Sequence, residues 1–167
     1  MNVSRIFNIS GNFMQFESWC EPDPSFVGKI VLTEEDEFYG FCEELYASDM
    51  SDINRIRYIA GAFAKNGRNG QQGIAFYKMS NDPEQAPLMY VVPDLTDPET
   101  GVWAALFIFG GFQEQGKAKV TITEEPYSKE EEDRIKVKYQ NLDEEINGND
   151  ELLEQIYCCK DIIANAM

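Results

Sequence analysis

The sequence contains no histidine, the side chain that most often serves as a general base or a metal ligand. Its 4 cysteines are Cys20, Cys42 and the adjacent pair Cys158-Cys159, so the C-x-x-C spacing of zinc and redox sites does not occur. A Gly-x-Ser-x-Gly nucleophile motif is also missing. We therefore predict a protein that has no metal, no cofactor and no catalytic residues, and that is not an enzyme.

Basic residues are scarce as well. The chain has 14 Lys and Arg against 30 Asp and Glu, which gives a formal net charge of −16. Acidic residues outnumber basic ones both before and after Ser128, so the basic stripe of a nucleic-acid binder is not expected. The negative charge is compatible with two classes of partner. A small apolar ligand interacts little with the electrostatic field of the protein, and a basic protein is attracted by it.

Long apolar runs are absent. No segment approaches the roughly 18 uninterrupted apolar residues of a membrane-spanning helix. Met1–Ser10 carries one basic residue and no long apolar core, which does not fit a signal peptide. We expect a cytoplasmic protein with reduced thiols and no contact with a membrane.

The most informative stretch is Gly101–Thr123. Val102–Phe109 is apolar at every position, which predicts a strand without a solvated face. Lys117–Thr123 alternates polar and apolar residues, the pattern of a half-buried strand. The glycine-rich segment Gly110–Gly116 between them predicts a turn, so the whole stretch is interpreted as a β-hairpin.

Six further segments have the composition of strands and are separated by short polar or proline-containing links. They are Gly11–Trp19, Phe26–Thr33, Phe38–Tyr46, Arg55–Ala64, Gly73–Ser80 and Leu88–Val92. Two Asn-Gly steps between the fourth and fifth segments give the clearest hairpin signal. Eight consecutive strands favour an antiparallel meander that closes into a barrel; a split sheet packed against two helices is the alternative.

The pattern changes to helical spacing after Pro126. Ser128 and Glu131 have the spacing of a capping box, and an apolar stripe follows at Ile135, Tyr139, Leu142 and Ile146. A second helix is predicted from Asn149 or Asp150. We therefore expect one domain over residues 1–167, mainly β in an α+β class, with a barrel body at 11–125 and a helical tail at 128–167. The tail is expected to pack on the body, with a docking surface for another chain as the alternative.

The predicted barrel resembles the calycin-type proteins, the lipocalin and avidin-like group. The likeness is carried by Gly11-Asn12-Phe13 at the first strand and by the aromatic–glycine steps Phe38-Tyr39-Gly40 and Gly111-Phe112, and it covers Gly11–Thr123. The usual Gly-x-Trp of the group is Gly11-Asn12-Phe13 here. The resemblance implies an interior that holds side chains or one small ligand. No functional residue is carried over from the group.

Three residues are candidates for binding a ligand. Arg57 lies in an apolar strand, where it can pair with a ligand carboxylate or phosphate, although an outward-facing arginine paired with a surface acid is the favoured interpretation. Tyr77 and Trp103 are candidates for a pocket wall, or else part of the core. The predicted function is a non-catalytic barrel that holds a small apolar or aromatic ligand. The alternative is an acidic interaction module or inhibitor that binds a basic surface of a partner protein.

Overall fold

The computed structural model describes residues 4–46, 55–64, 70–79, 87–107 and 111–147. These residues form an antiparallel sheet and one helix. The strands are β1 (Arg5–Gln15), β2 (Ser18–Trp19), β3 (Phe26–Leu32), β4 (Glu37–Glu44), β5 (Ile56–Ala64), β6 (Gly73–Met79), β7 (Leu88–Val92), β8 (Gly101–Phe107) and β9 (Gly111–Glu125). The helix α1 spans Lys129–Asn147, and a short 3-10 turn at Pro98–Thr100 precedes β8.

The sheet closes on itself. The two-residue strand β2 pairs only with β1 in the sheet order, and the other eight strands follow one another as an antiparallel meander. The long strand β9 then returns to β1, with a register that runs from Ile6 opposite Glu125 to Phe13 opposite Ala118. The prediction of an eight-stranded antiparallel barrel is therefore confirmed, and the alternative of a split sheet is wrong.

Alternate residues of the strands fill the barrel interior, because successive side chains of a strand point to opposite faces. The apolar part of the interior forms one cluster that contains many aromatic rings, among them Phe13, Phe26, Phe76, Tyr90 and Trp103. Several inward positions are glycine, Gly28 and Gly40 among them, because the neighbouring backbone leaves no room for a side chain. A Cβ at Gly28 would lie 2.0 Å from the Phe41 carbonyl oxygen, and one at Gly40 would lie 2.0 Å from that of Lys29.

The helix α1 packs on the outside of the barrel. Ile135 is buried there against Ile6, Val31 and Phe41. The N–H of Glu131 donates to Ser128 Oγ at 3.3 Å, as the predicted cap requires. Lys29 ties the helix to the sheet through contacts of 2.9 Å with Glu125 and 3.0 Å with Glu131. Within the described part of the chain, no helix has the length and apolar character needed to cross a membrane.

The two largest differences from the predicted boundaries are at β1 and β9. The first strand begins at Arg5 rather than Gly11, and it ends at a tight hairpin before β2. The predicted turn at Gly110–Gly116 is wrong from Gly111 onwards, because β9 already pairs with β8 there and absorbs the irregularity as a bulge opposite Trp103 and Ala104. The predicted second helix, with Cys158-Cys159, lies outside the described residues.

Candidate functional site

Three charged side chains lie inside one end of the barrel; we refer to Glu44, Arg57 and Lys78 as the polar cluster. Glu44 is the last residue of β4, Arg57 the second of β5 and Lys78 the second-last of β6. Because these strands are antiparallel, all three positions belong to the same end of the barrel. Their exposed fractions are 1%, 2% and 0% respectively, so the cluster is removed from bulk water.

Both cations of the polar cluster contact one carboxylate oxygen. Lys78 Nζ donates to Glu44 Oε1 at 2.6 Å, and Arg57 Nε lies 3.2 Å from the same atom. The sheet register explains this convergence: Arg57 is opposite Cys42 and therefore diagonal to Glu44, while Lys78 is opposite Ile59 on the next strand. Burying three charges is tolerated only because they neutralise one another in part.

Several polar atoms at this end have no hydrogen-bond partner. Within the described residues, Glu44 Oε2, Arg57 Nη1 and Tyr90 Oη are buried and make no hydrogen bond, and the Arg57 Nε contact does not have hydrogen-bond geometry. Leaving such a group unpaired costs about 1–3 kcal/mol, more if it is charged. Unpaired buried groups of this kind call for a physical explanation, and a bound molecule or ion that pairs with them is one.

Aromatic rings surround the ammonium group of Lys78. Its Nζ lies 3.9 Å from the ring centroid of Phe26, 4.8 Å from that of Tyr90 and 6.0 Å from that of Phe13; we call these three rings the aromatic wall. Distances of this size are typical of cation–π contacts. Tyr90 is held in place by stacking on Phe76 at 5.1 Å between centroids. The Lys78 side of the polar cluster is thus lined by the faces of aromatic rings.

The predicted ligand-binding residues fall on both faces of the sheet. Trp103 lies in the interior, where its Nε1 donates to the Met14 carbonyl at 2.8 Å and its ring meets Phe13 of the aromatic wall at 5.2 Å between centroids. Tyr77 instead packs on the outer face, 6.1 Å from the ring of Tyr58. The structure therefore places both Arg57 and Trp103 inside the barrel. Tyr77 lies on the outer face, because it directly precedes the inward-facing Lys78.

The favoured interpretation of Arg57 as an outward-facing residue is corrected by the structure. Its guanidinium is buried and paired with the interior acid Glu44 rather than with a surface acid. Sequence reasoning also missed Glu44, Lys78 and Tyr90. A signal for Lys78 was present, since it lies two positions after the apolar Phe76 and so shares its face of the strand.

Burial controls the protonation of the groups beside the polar cluster. Desolvation, followed by the charge of Glu44, raises the pKa of the Cys42 thiol to about 12 and raises that of the Tyr90 phenol well above its usual value. At neutral pH these side chains therefore stay neutral, so that Tyr90 Oη can act as a hydrogen-bond donor or acceptor. Among the described residues, no three side chains of the His, Cys, Asp and Glu types are grouped as metal ligands.

Comparison with known proteins does not assign a function to this site. No protein-family model matches the chain. No curated protein matches it, and no solved structure matches it. Function must therefore be inferred from the chemistry of the barrel interior.

Proposed function

We propose that the protein is a non-catalytic, calycin-type barrel that binds one small aromatic or apolar ligand at the end where the polar cluster lies. The observation that carries this proposal is the set of buried polar atoms without a hydrogen-bond partner, namely Glu44 Oε2, Arg57 Nη1 and Tyr90 Oη among the described residues. A ligand with one polar group would pair with some of these atoms. Its apolar body would contact the aromatic wall and Trp103, as in most small-molecule sites.

The energetic basis is a stability deficit in the free protein. Each unpaired buried group lowers the free energy of unfolding by about 1–3 kcal/mol, and a ligand that supplies the missing hydrogen bond recovers part of that loss. The rings add binding energy because they bury apolar surface of the ligand. A ligand that pairs with Tyr90 Oη would explain why a buried hydroxyl without a partner among the described residues stands at this position.

The test compares Tyr90→Phe with the wild-type protein. Without ligand, we expect the variant to be equally stable or slightly more stable, because an unpaired hydroxyl has been removed. With phenethyl alcohol or another small aromatic probe, we expect a smaller rise in melting temperature and a weaker Kd by calorimetry. Tyr127→Phe, which alters an exposed tyrosine, is the matched control and should leave binding unchanged.

Two results would contradict the proposal. One is that no small aromatic compound, neutral or charged, raises the melting temperature of the wild-type protein at millimolar concentration. The other is that ligands bind but Trp103→Leu and Tyr90→Phe, both folded, bind them as well as the wild type does. Either result would exclude the barrel interior as the binding site for a small aromatic ligand.

A second candidate function is an acidic module that binds a basic surface of another protein. Phe16, at the tip of the hairpin between β1 and β2, is 89% exposed, and Glu17 follows it directly. An apolar side chain on an acidic hairpin tip is suited to a pocket with a basic rim. In a pull-down at low and high salt, Phe16→Ser should lose a salt-sensitive basic partner; equal capture by both forms would count against this function.

A further inference from the structure

We propose that the ligand carries a single negative charge, and that it is an aromatic carboxylate whose carboxylate group pairs with Arg57. This inference depends on the proposed ligand-binding function and specifies its chemical class. The first observation is one of charge. Among the described residues buried at this end of the barrel there are two cations, Arg57 and Lys78, and one anion, Glu44. One further negative charge would neutralise the cluster.

The second observation is the position of the free donors. Lys78 Nζ is already satisfied by Glu44 Oε1 and by the faces of the aromatic wall. Arg57 approaches Glu44 through Nε, whereas Nη1, which carries donors on another edge of the planar guanidinium, has no hydrogen-bond partner in the described structure. A carboxylate on that edge would accept from Nη1 and stay apart from the carboxylate of Glu44. Hydrogen bonds of this charge-assisted kind are among the strongest in proteins.

The surroundings limit the charge to one and favour an aromatic body. The polar cluster has one cation in excess, whereas a phosphate monoester carries up to two negative charges. The carboxylate of Glu44 would repel the second negative charge. The walls are ring faces, whose electron density repels anions but stacks well with another ring. Tyr90 Oη, a neutral hydroxyl without a partner among the described residues, is available as a second donor. A monocarboxylate with an aromatic ring matches all of these features.

The net charge of −16 gives the proposal a kinetic signature. An anionic ligand approaches such a protein against its overall field, so its association rate should rise when salt shortens the Debye length from about 30 Å at low ionic strength to about 8 Å. A neutral ligand of the same shape should associate at a rate that hardly depends on salt. Salt dependence therefore distinguishes a bound anion from a neutral molecule that occupies the same site.

The experiment uses the full-length protein and four probes with a phenyl ring: phenylacetate, phenethyl alcohol, phenethylamine and phenyl phosphate. Calorimetry measures each Kd, and stopped-flow fluorescence measures the salt dependence of association. We expect phenylacetate to bind at least about tenfold more tightly than phenethyl alcohol, because its carboxylate forms a charge-assisted hydrogen bond with the guanidinium that the alcohol cannot form. Phenyl phosphate and phenethylamine should bind more weakly than phenylacetate.

Variants at Arg57 test the assignment of the partner. Arg57→Met should abolish the preference for phenylacetate over phenethyl alcohol while it leaves the weaker binding of the alcohol largely intact. Arg57→Lys keeps the charge but not the planar fork, and it should restore the preference in part. Arg5→Met, which removes an exposed arginine paired with Glu124, is the matched control and should retain the preference.

The outcomes separate this inference from the function on which it depends. If the alcohol or the amine binds as tightly as phenylacetate, the carboxylate inference is overturned and the ligand-binding function stands. If no probe binds, both fail. If the Arg57 variants do not fold, the ranking of the four probes on the wild-type protein and their salt dependence still decide the question.

Discussion

Lys78 Nζ lies 2.6 Å from Glu44 Oε1, although the strands that carry these residues, β6 and β4, are not neighbours in the sheet. Strand β5 runs between them and contributes Arg57, whose Nε lies 3.2 Å from the same oxygen. Glu44 is thus the single anion that two buried cations share among the described residues. Its removal should therefore have a larger effect than the removal of either cation.

We predict that Glu44→Gln lowers the free energy of unfolding by about 3–5 kcal/mol, because it leaves two buried cations without a counter-charge. Urea denaturation followed by fluorescence would measure the loss. The triple variant Glu44→Leu, Arg57→Met, Lys78→Met removes all three charges and should recover most of that stability. If the triple variant is as unstable as the single one, packing rather than charge pairing determines the stability of this end of the barrel.

Gly40 offers a test of the close approach between β4 and β3. We predict that Gly40→Ala costs about 3 kcal/mol of unfolding free energy, because the added Cβ would lie 2.0 Å from the backbone oxygen of Lys29 and the backbone must move. Gly70 is the control: it has a φ of +72° and no atom within 4 Å of the position of an added Cβ. Gly70→Asn should change stability by less than about 1 kcal/mol, since asparagine tolerates this conformation. Equal effects at the two sites would contradict the close approach of β3 and β4.

The strands in the middle of the chain could be predicted from the sequence because each is bounded by its own local signal. The sequence predicts Leu88–Val92 with its observed limits and places the start of β6 correctly at Gly73. The start of β1 could not be predicted in this way. Ile6 packs outward under α1, while Phe7 and Ile9 point inward. The segment therefore lacks the alternation of apolar and polar residues that marks a strand with one solvent-exposed face.

The candidate site was less accessible to sequence reasoning than the fold. The sequence predicts Arg57 as a candidate, but its orientation depends on Glu44 and Lys78, which are 13 residues before it and 21 after it in the chain. Only the register of three strands brings these side chains together, and a shift of one residue would turn Lys78 to the outer face and Tyr77 inward. Charge and composition contain no information about that register.

Glu131 should make stability depend on acid pH. A hydrogen bond from Arg134, opposed by partial desolvation and aided by Lys29, lowers the pKa of Glu131 from 4.5 to about 2. Because the folded pKa lies below the unfolded one, its stabilising effect is complete above pH 4.5 and is lost as the pH falls towards about 2. We predict that Glu131→Gln lowers the free energy of unfolding by about 1 kcal/mol at neutral pH. The melting temperature of the variant should also depend less on pH between about 2 and 4.5. The control is Glu130→Gln, which changes an exposed neighbouring residue and should leave the pH dependence of the melting temperature as in the wild type.

The hairpin tip between β1 and β2 is predicted to be a site of strain. Phe16 and Glu17 have φ angles of 54° and 66°, values that suit Asn-Gly in a two-residue turn but are unfavourable for these side chains. We predict that Phe16→Asn with Glu17→Gly raises the free energy of unfolding by about 1–2 kcal/mol, since Phe16 is 89% exposed and contributes little packing. The alanine pair at both positions should not stabilise the protein. A loss of stability with Asn-Gly would mean that Phe16 packs against the body.

The pairing of β1 with β9 has a consequence for the order in which the strands pair during synthesis. Arg5 and Glu124 form an ion pair across this seam although 119 positions separate them. During synthesis, the first barrel strand leaves the ribosome long before the strand that completes its pairing. Meanwhile the growing meander carries two open edges, which can recruit other chains. Contacts between residues so far apart in the chain also form slowly. We therefore expect the pairing of β1 with β9 to be the last part of the barrel to form, and its formation to limit the yield of folded protein.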